Sequence, residues 1–379
     1  MTRGLSYSTL TKVLERLEAN KRSRLVALSP SLQNFDRAIP LHLDHVAFDY
    51  LKIKVNDISF SFETHEVQLS AEDAKAGIAP GDIVIDQDYS NVVSFYNFVN
   101  YYLKDKRVGE RRLPGGLDLQ MAMRMLACHL FDKREEIKVH ELGVIISEWP
   151  FLRLPVGAKF KISQFDIAKN DLKALEPLIH PSSLPLKVLK LGRWRDGYNE
   201  NVVIEAAETL ILDASHFGRD VVSRVMNTRH RCIEVEGACF SEQSSVRVVR
   251  SIKENGRELG FTLTVWISDE EYLDQLFDEL KKEFHGKWVT SQEVGETLPT
   301  CDILCISLNE TSEILIYGIK RGRLCLRMQV VPIGNSIPIP DKNLFNYFKF
   351  IVLLCIIIFY GHGMLADLIV SMFSLIIPI

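Results

Sequence analysis

Cysteine is scarce and scattered: seven residues, at 128, 232, 239, 301, 305, 325 and 355, with no Cys-x-x-Cys pair among them. An odd count at such spacing argues against a disulfide framework and against a cysteine-rich structural zinc site. The chain also lacks a Gly-x-Gly-x-x-Gly turn, a phosphate-binding loop, a Gly-x-Ser-x-Gly elbow and a His-Glu-x-x-His pair. Enzymes that depend on those motifs are disfavoured with them. Charge excess is missing too: 45 Lys and Arg against 49 Asp and Glu give a net charge of −4 and a pI near 6.2. No overall basic field points to nucleic acid. The first 20 residues, MTRGLSYSTLTKVLERLEAN, hold no apolar block, so no secretory signal is expected. These absences predict a reducing compartment, with no catalytic residue, cofactor site or metal-ligand set.

What is there suits two or three cores: 379 residues, 47% apolar and 25% charged. Within residues 1–42, Leu10, Val13, Leu14 and Leu17 fall at i, i+3, i+4 and i+7, one stripe of a helix that Ser6 or Ser8 can cap. Leu25, Val26, Leu28 and Leu32 make a second short apolar face, broken at Ser29-Pro30. In residues 43–135, alternation of Ile53, Val55, Ile58, Phe60 and Phe62 predicts a hairpin turning at Asn56-Asp57. Residues 64–90 read as a long loop; 92–103 and 117–131 read as helices, with a charged loop, KDKRVGERRLPGG, between them.

Residues 136–240 carry a repeat. Strand-like segments start at Ile137, Phe160, Leu186, Glu208 and Arg231, at offsets of 23, 26, 22 and 23 residues, with short amphipathic pieces between most of them. That is the period of a leucine-rich repeat, matched in spacing alone and without the Asn or Cys of its consensus. In residues 241–331, Ser268 and Glu271 predict a capping box for the helix SDEEYLDQLFDELKKEF, with Gly286 stopping it. Leu273, Leu276, Phe277, Leu280 and Phe284 form its apolar stripe. FTLTVWI before it and three closely connected strands after it predict an antiparallel sheet with helices on one face. The fold class expected is therefore mixed α/β (α+β): a helical opening, a leucine-rich-repeat-like centre, a C-terminal antiparallel sheet and a hydrophobic C-terminal helix. Residues 332–343, with three prolines in PIGNSIPIPDK, read as a linker.

Residues 344–379 are the outlier. Phe350, Ile351, Val352, Leu353, Leu354, Ile356, Ile357, Ile358 and Phe359 belong to an unbroken apolar run that resumes after Gly361-His362-Gly363. About 20 apolar residues suffice to cross a bilayer. Lys342 and Lys349 precede the run and no Lys or Arg follows it, which predicts a single pass with the body in the cytosol. A buried core helix and a wrongly predicted terminal exon are the two competing readings of the same stretch.

Other clusters have plain alternatives. His140-Glu141 with His129 lacks further ligands at metal spacing and reads as surface histidine beside a strand. Cys301 and Cys305 share a strand face with Ile303 between them, which favours burial in a sheet. Lys104, Lys106, Arg107, Arg111 and Arg112 can neutralise phosphates, but Asp105 and Glu110 are interleaved and a solvated turn suits them better.

Residues 5–48, LSYSTLTKVLERLEANKRSRLVALSPSLQNFDRAIPLHLDHVAF, resemble the opening of the nematode F-box C-type proteins. The likeness recurs at VNDISFSF, IKVHELGV, HPSSLPLKVLKL, VVIEAAETLILD and ISLNETSEILIYGIK, covering roughly residues 5–332. Leu5, Leu10, Val13, Leu14, Leu17, Asn20, Arg22, Pro30 and Leu32 carry the opening pattern, whose usual Leu-Pro stands here as Leu5-Ser6. The resemblance implies an F-box-like segment at 1–42 that docks a Skp-type adaptor of a cullin ubiquitin ligase, while the rest selects a protein substrate. Leu5, Leu10, Val13, Leu14 and Leu17 are then the partner-binding candidates, and no catalytic residues are implied. The apolar stripe has two readings, a groove for a partner helix or packing against the protein's own second helix and hairpin.

Overall fold

The computed structural model describes residues 7–27, 29–68, 93–115, 117–145, 152–168, 170–194, 198–216, 221–237, 240–267, 269–291, 303–334 and 336–338. The chain is mixed α/β and divides into two compact units between Ala238 and Cys239. The apolar tail and Leu5 lie outside the described residues. Among the described residues, no helix is long and apolar enough to cross a membrane.

The first unit opens with three short helices, α1 (Tyr7–Arg16), α2 (Ala19–Ala27) and α3 (Pro30–Arg37). Pro30 sits at the start of α3, where its missing N–H costs nothing. Leu14, Val26 and Ile39 form a small core, with Leu10, Leu17 and Phe35 packed against it.

An antiparallel meander follows the helices: β1 (Leu41–Asp49), β2 (Lys52–Val55), β3 (Ile58–Gln68), β4 (Val93–Leu103) and β5 (Lys106–Arg112). The hairpin turns at Asn56-Asp57 as expected, with Asn56 at φ 51°. The Asn56 side chain accepts from the backbone N–H groups of Asp44 (2.9 Å) and His45 (3.1 Å). Three expectations fail here. Residues 93–103 are a strand rather than a helix, and Lys106–Arg112 of the charged loop form the strand β5. The start of the supposed long loop, Thr64–Gln68, continues β3.

Helix α4 (Leu119–Phe131), capped by Asp118, leads into a parallel series: β6 (Ile137–Ile145), β7 (Lys161–Asp166), β8 (Val188–Leu191), β9 (Thr209–Asp213) and β10 (Cys232–Glu236). Strand order is β10-β9-β8-β7-β6-β1-β2-β3-β4-β5, with β1 joined parallel to β6. Short helices α5 (Leu172–Leu175), α6 (Val202–Ala206) and α7 (Val221–Asn227) lie between successive strands from β7 to β10.

The register explains the spacing read from sequence. Val46, Leu142, Phe165, Leu189, Leu210 and Ile233 stand side by side across six strands, each no more than 1% exposed. Two residues on, Phe48, Val144, Ile167, Leu191, Leu212 and Val235 are equally buried; three residues back, Leu43, Val139, Ile162, Leu186, Ala207 and His230 are also buried. Each strand therefore reads apolar-x-x-apolar-x-apolar, apart from His230. At β7 the pattern runs further, Ile162-x-x-Phe165-x-Ile167-x-x-Asn170-x-Leu172. The consensus asparagine thought missing is thus present once. Asn170 Nδ2 donates to the Val144 carbonyl of the preceding strand (2.6 Å) and to the Ile167 carbonyl (3.1 Å).

The second unit contains α8 (Glu242–Asn255), β11 (Thr262–Trp266), α9 (Glu270–Phe284), β12 (Lys287–Ser291), β13 (Ile303–Ser307), β14 (Ser312–Arg321), β15 (Arg323–Pro332) and β16 (Ser336–Pro338). The sheet order is β16-β12-β13-β14-β15-β11, antiparallel throughout. The expected stripe on α9 is buried. Its cap is Asp269, which accepts from the Tyr272 N–H, and its left-handed terminal residue is His285 at φ 57°. Gly286 is needed for a different reason: a Cβ there would come within 2.7 Å of Leu304 Cδ1. The proline-rich stretch contributes β16, so it is not wholly a linker.

Candidate functional site

The opening helices separate the candidate residues by surroundings. Leu14 has no exposed surface and Leu10 and Leu17 pack against the same core, so these three hold the segment together. Val13, at the edge of the same apolar stripe, is 41% exposed, and Tyr7 is 72% exposed in a T-shaped contact with Phe35. Leu25 on α2 is also exposed. Only Val13, of the described candidates, is free to meet a partner without the core opening.

The motif LEANKR is spent on attachment. The Glu18 carboxylate accepts from the N–H groups of Asn20 (2.9 Å) and Lys21 (3.1 Å) and from Asn56 Nδ2 (3.3 Å). Burial raises the Glu18 carboxyl, but these hydrogen bonds together overcome it and leave the group below its ordinary value. Asn20 Nδ2 reaches the Val55 carbonyl at 3.4 Å. Arg22, 2% exposed, donates to one carboxylate oxygen of Asp36 and to the carbonyls of Pro40 (2.8 Å) and Ile39 (3.0 Å). Arg134, just past α4, takes the other Asp36 oxygen at 2.7 Å. Burial draws Arg134 below the usual arginine value, and Asp36 opposes it. A buried carboxylate between two guanidinium groups fixes α3 to the strand ladder.

The ladder's other face is polar. Register aligns Gly143, Asp166, Lys190, Ile211 and Glu234 in one row. Lys190 Nζ lies 2.8 Å from Glu236 and 3.9 Å from Asp166. Burial pulls Lys190 down, yet the hydrogen bond to Glu236 and the field of Asp166 leave it raised. Asp166 is raised by burial, against the Ala168 N–H and Lys190. Further along, His45 is lowered by burial and by Lys54, with Glu141 and Asp166 opposing. His140 pairs with Gln164 at 3.3 Å. Among the described residues, no group of three or more His, Cys, Asp or Glu is placed to hold a metal.

A cavity of about 570 Å³ lies beside the crossovers, lined by Trp194, Glu200, Glu205, Asn227, Arg229 and His230 among others. Both His230 ring nitrogens are occupied, by Thr228 Oγ1 and the Ile204 carbonyl, each at 2.5 Å. The basic run is split by strand register. Lys106 and Arg111 share one face of β5 and Arg107 the other, where it donates to Asn100 Oδ1 at 2.7 Å. Cys301 lies outside the described residues; Cys305 is part-buried, with its thiol donating to Glu313 at 3.2 Å.

Residues 118–269 match a domain of unknown function, DUF3557. The matched stretch starts at the cap of α4 and ends at the cap of α9, taking in the parallel strands β6–β10. No curated protein and no solved structure matches this chain. Asn170 and the buried ion cluster were not read from the sequence. Asn170 was findable by extending the repeat four residues past its strand, and the Arg22–Asp36–Arg134 cluster had no local signal, because Asp36 and Arg134 are 98 residues apart.

Proposed function

We propose that this chain is a non-enzymatic recognition protein: its three opening helices dock a Skp-type adaptor of a cullin ubiquitin ligase, and its parallel strand ladder presents a surface to a protein substrate. The observation that carries this reading is the exposure of Val13 and Tyr7 on a helix whose other apolar residues already hold its own core. The likeness of residues 5–48 to the F-box C-type opening supports it. The leucine-rich-repeat-like register and Asn170 support a stacked, stiff recognition surface, as repeat proteins use. A structural role suits the ladder's polar groups, since Lys190 pairs with Glu236 and the Asp166 carboxylate accepts from the Ala168 N–H.

Co-purification of the full chain with a Skp-type adaptor tests the proposal. The wild-type chain retains adaptor and Val13→Asp loses it at unchanged thermal stability; equal recovery by both, or none by either, refutes adaptor docking. Val13 is the informative position because a charge at Leu14 would disrupt the core.

A second reading is a membrane-anchored interaction protein without a ligase link. The apolar run from Phe350 to Tyr360, preceded by Lys342 and Lys349, favours it. Alkaline carbonate extraction retains the chain in the membrane pellet on this reading, and release into the supernatant contradicts it.

A further inference from the structure

We propose that an open apolar groove bounded by α2, α4 and the strands β3–β5 docks an acidic amphipathic helix of a partner protein. The groove encloses about 400 Å³, and its apolar lining includes Ile58, Phe60, Tyr101, Leu103, Val108 and Leu126. Leu103 and Val108 are 43% and 59% exposed, and Met125, one helical turn from the groove-lining His129, is 57% exposed. Contiguous apolar surface of this kind on a folded protein marks a contact site.

Register sets the charge at the rim. Lys106 pairs with Leu103 and Arg111 with Val99, which places both on the groove face, whereas Glu110 pairs with Asn100 and stands on the other face. Arg24 and His129 line the groove as well, and among the described residues no carboxylate lines it. A partner with Asp or Glu flanking its apolar stripe complements this rim. The occupant is a helix rather than an added strand. The pairing of β4 with β5 is irregular opposite Tyr101/Tyr102, and β5 is heavily charged, two features that discourage strand addition at a sheet edge. Apolar residues at i, i+3, i+4 and i+7 of a helix suit such a groove.

This inference rests on the recognition reading but not on adaptor docking, whose exposed contact residue is Val13 on α1, outside the groove lining. The test is fluorescence anisotropy of the full chain with a labelled helical peptide of leucine and glutamate in that pattern, beside its leucine–lysine counterpart. The glutamate peptide binds saturably, and the lysine peptide at least about tenfold more weakly. Val108→Asp weakens binding about tenfold or more, and Lys106→Glu with Arg111→Glu reverses the preference between the peptides. Lys173→Glu, an exposed charge on α5, changes nothing. Absence of saturable binding, equal binding of the two peptides, or indifference to both groove variants overturns the proposal. Adaptor capture by the same Val108→Asp protein reads the α1 surface separately, so failure of the groove and failure of the adaptor reading give different results.

Discussion

Arg22 and Asp36 form an ion pair in which both side chains are 2% exposed, and Arg134 closes on the second Asp36 oxygen at 2.7 Å. The cluster joins the opening helices to the start of the parallel ladder. Removing the shared carboxylate strands two buried guanidinium groups, so Asp36→Ala is expected to cost about 3–5 kcal/mol. Urea unfolding reads this as a lower midpoint at constant slope. A loss under about 1 kcal/mol would show that the cluster is not a fastening point.

Leu14 and Val13 are neighbours with opposite surroundings. Leu14→Ala is expected to cost about 2–5 kcal/mol through a cavity in the small core. Val13→Ala should change stability by no more than about 0.5 kcal/mol. Similar losses at the two positions would contradict the division of α1 into a structural and an open side.

Asn170 bridges two strands with one amide. Asn170→Ala leaves the Val144 carbonyl without that donor, an expected cost of about 1–3 kcal/mol. Asn170→Asp should cost more, since it sets a carboxylate against a carbonyl. Thermal or urea unfolding ranks the two variants, and an Asp variant as stable as wild type would refute the bridge.

Glu136 lies between Lys161 at 2.5 Å and Lys138 at 3.0 Å, and hydrogen bonds first from Lys161 and then from Lys138 lower its carboxyl to about 2. A carboxyl lowered in the folded state stabilises fully above its ordinary value and loses that contribution as pH falls. The melting-temperature difference between wild type and Glu136→Gln should therefore be constant near neutrality and shrink from about pH 4.5 down to about pH 2. A difference that stays flat across that window would contradict the pairing.

Periodicity was most legible where one face is buried and the other is not. The hairpin at Asn56-Asp57, the repeat spacing and the stripe on α9 all follow from such alternation. Residues 93–103 misled because apolar residues occupy both faces, so neither period stands out; their aromatic and β-branched content was the available strand signal. The strand Lys106–Arg112 was hidden by charge, as only Val108 in it is apolar. Ser268 looked like the cap of α9, but Asp269 takes that place with its own carboxylate. The polar cluster Asp166–Lys190–Glu236 was not legible, because the parallel strands bring together residues more than 20 apart in sequence.

Calorimetric titration of the full chain with a purified Skp-type adaptor tests adaptor docking through the exposed edge of α1 most directly. The account predicts saturable heat for wild type, affinity lowered about tenfold or more by Val13→Asp, and an unaltered titration for Val108→Asp. No heat of binding with wild type, or identical affinity for the Val13→Asp chain, would contradict it.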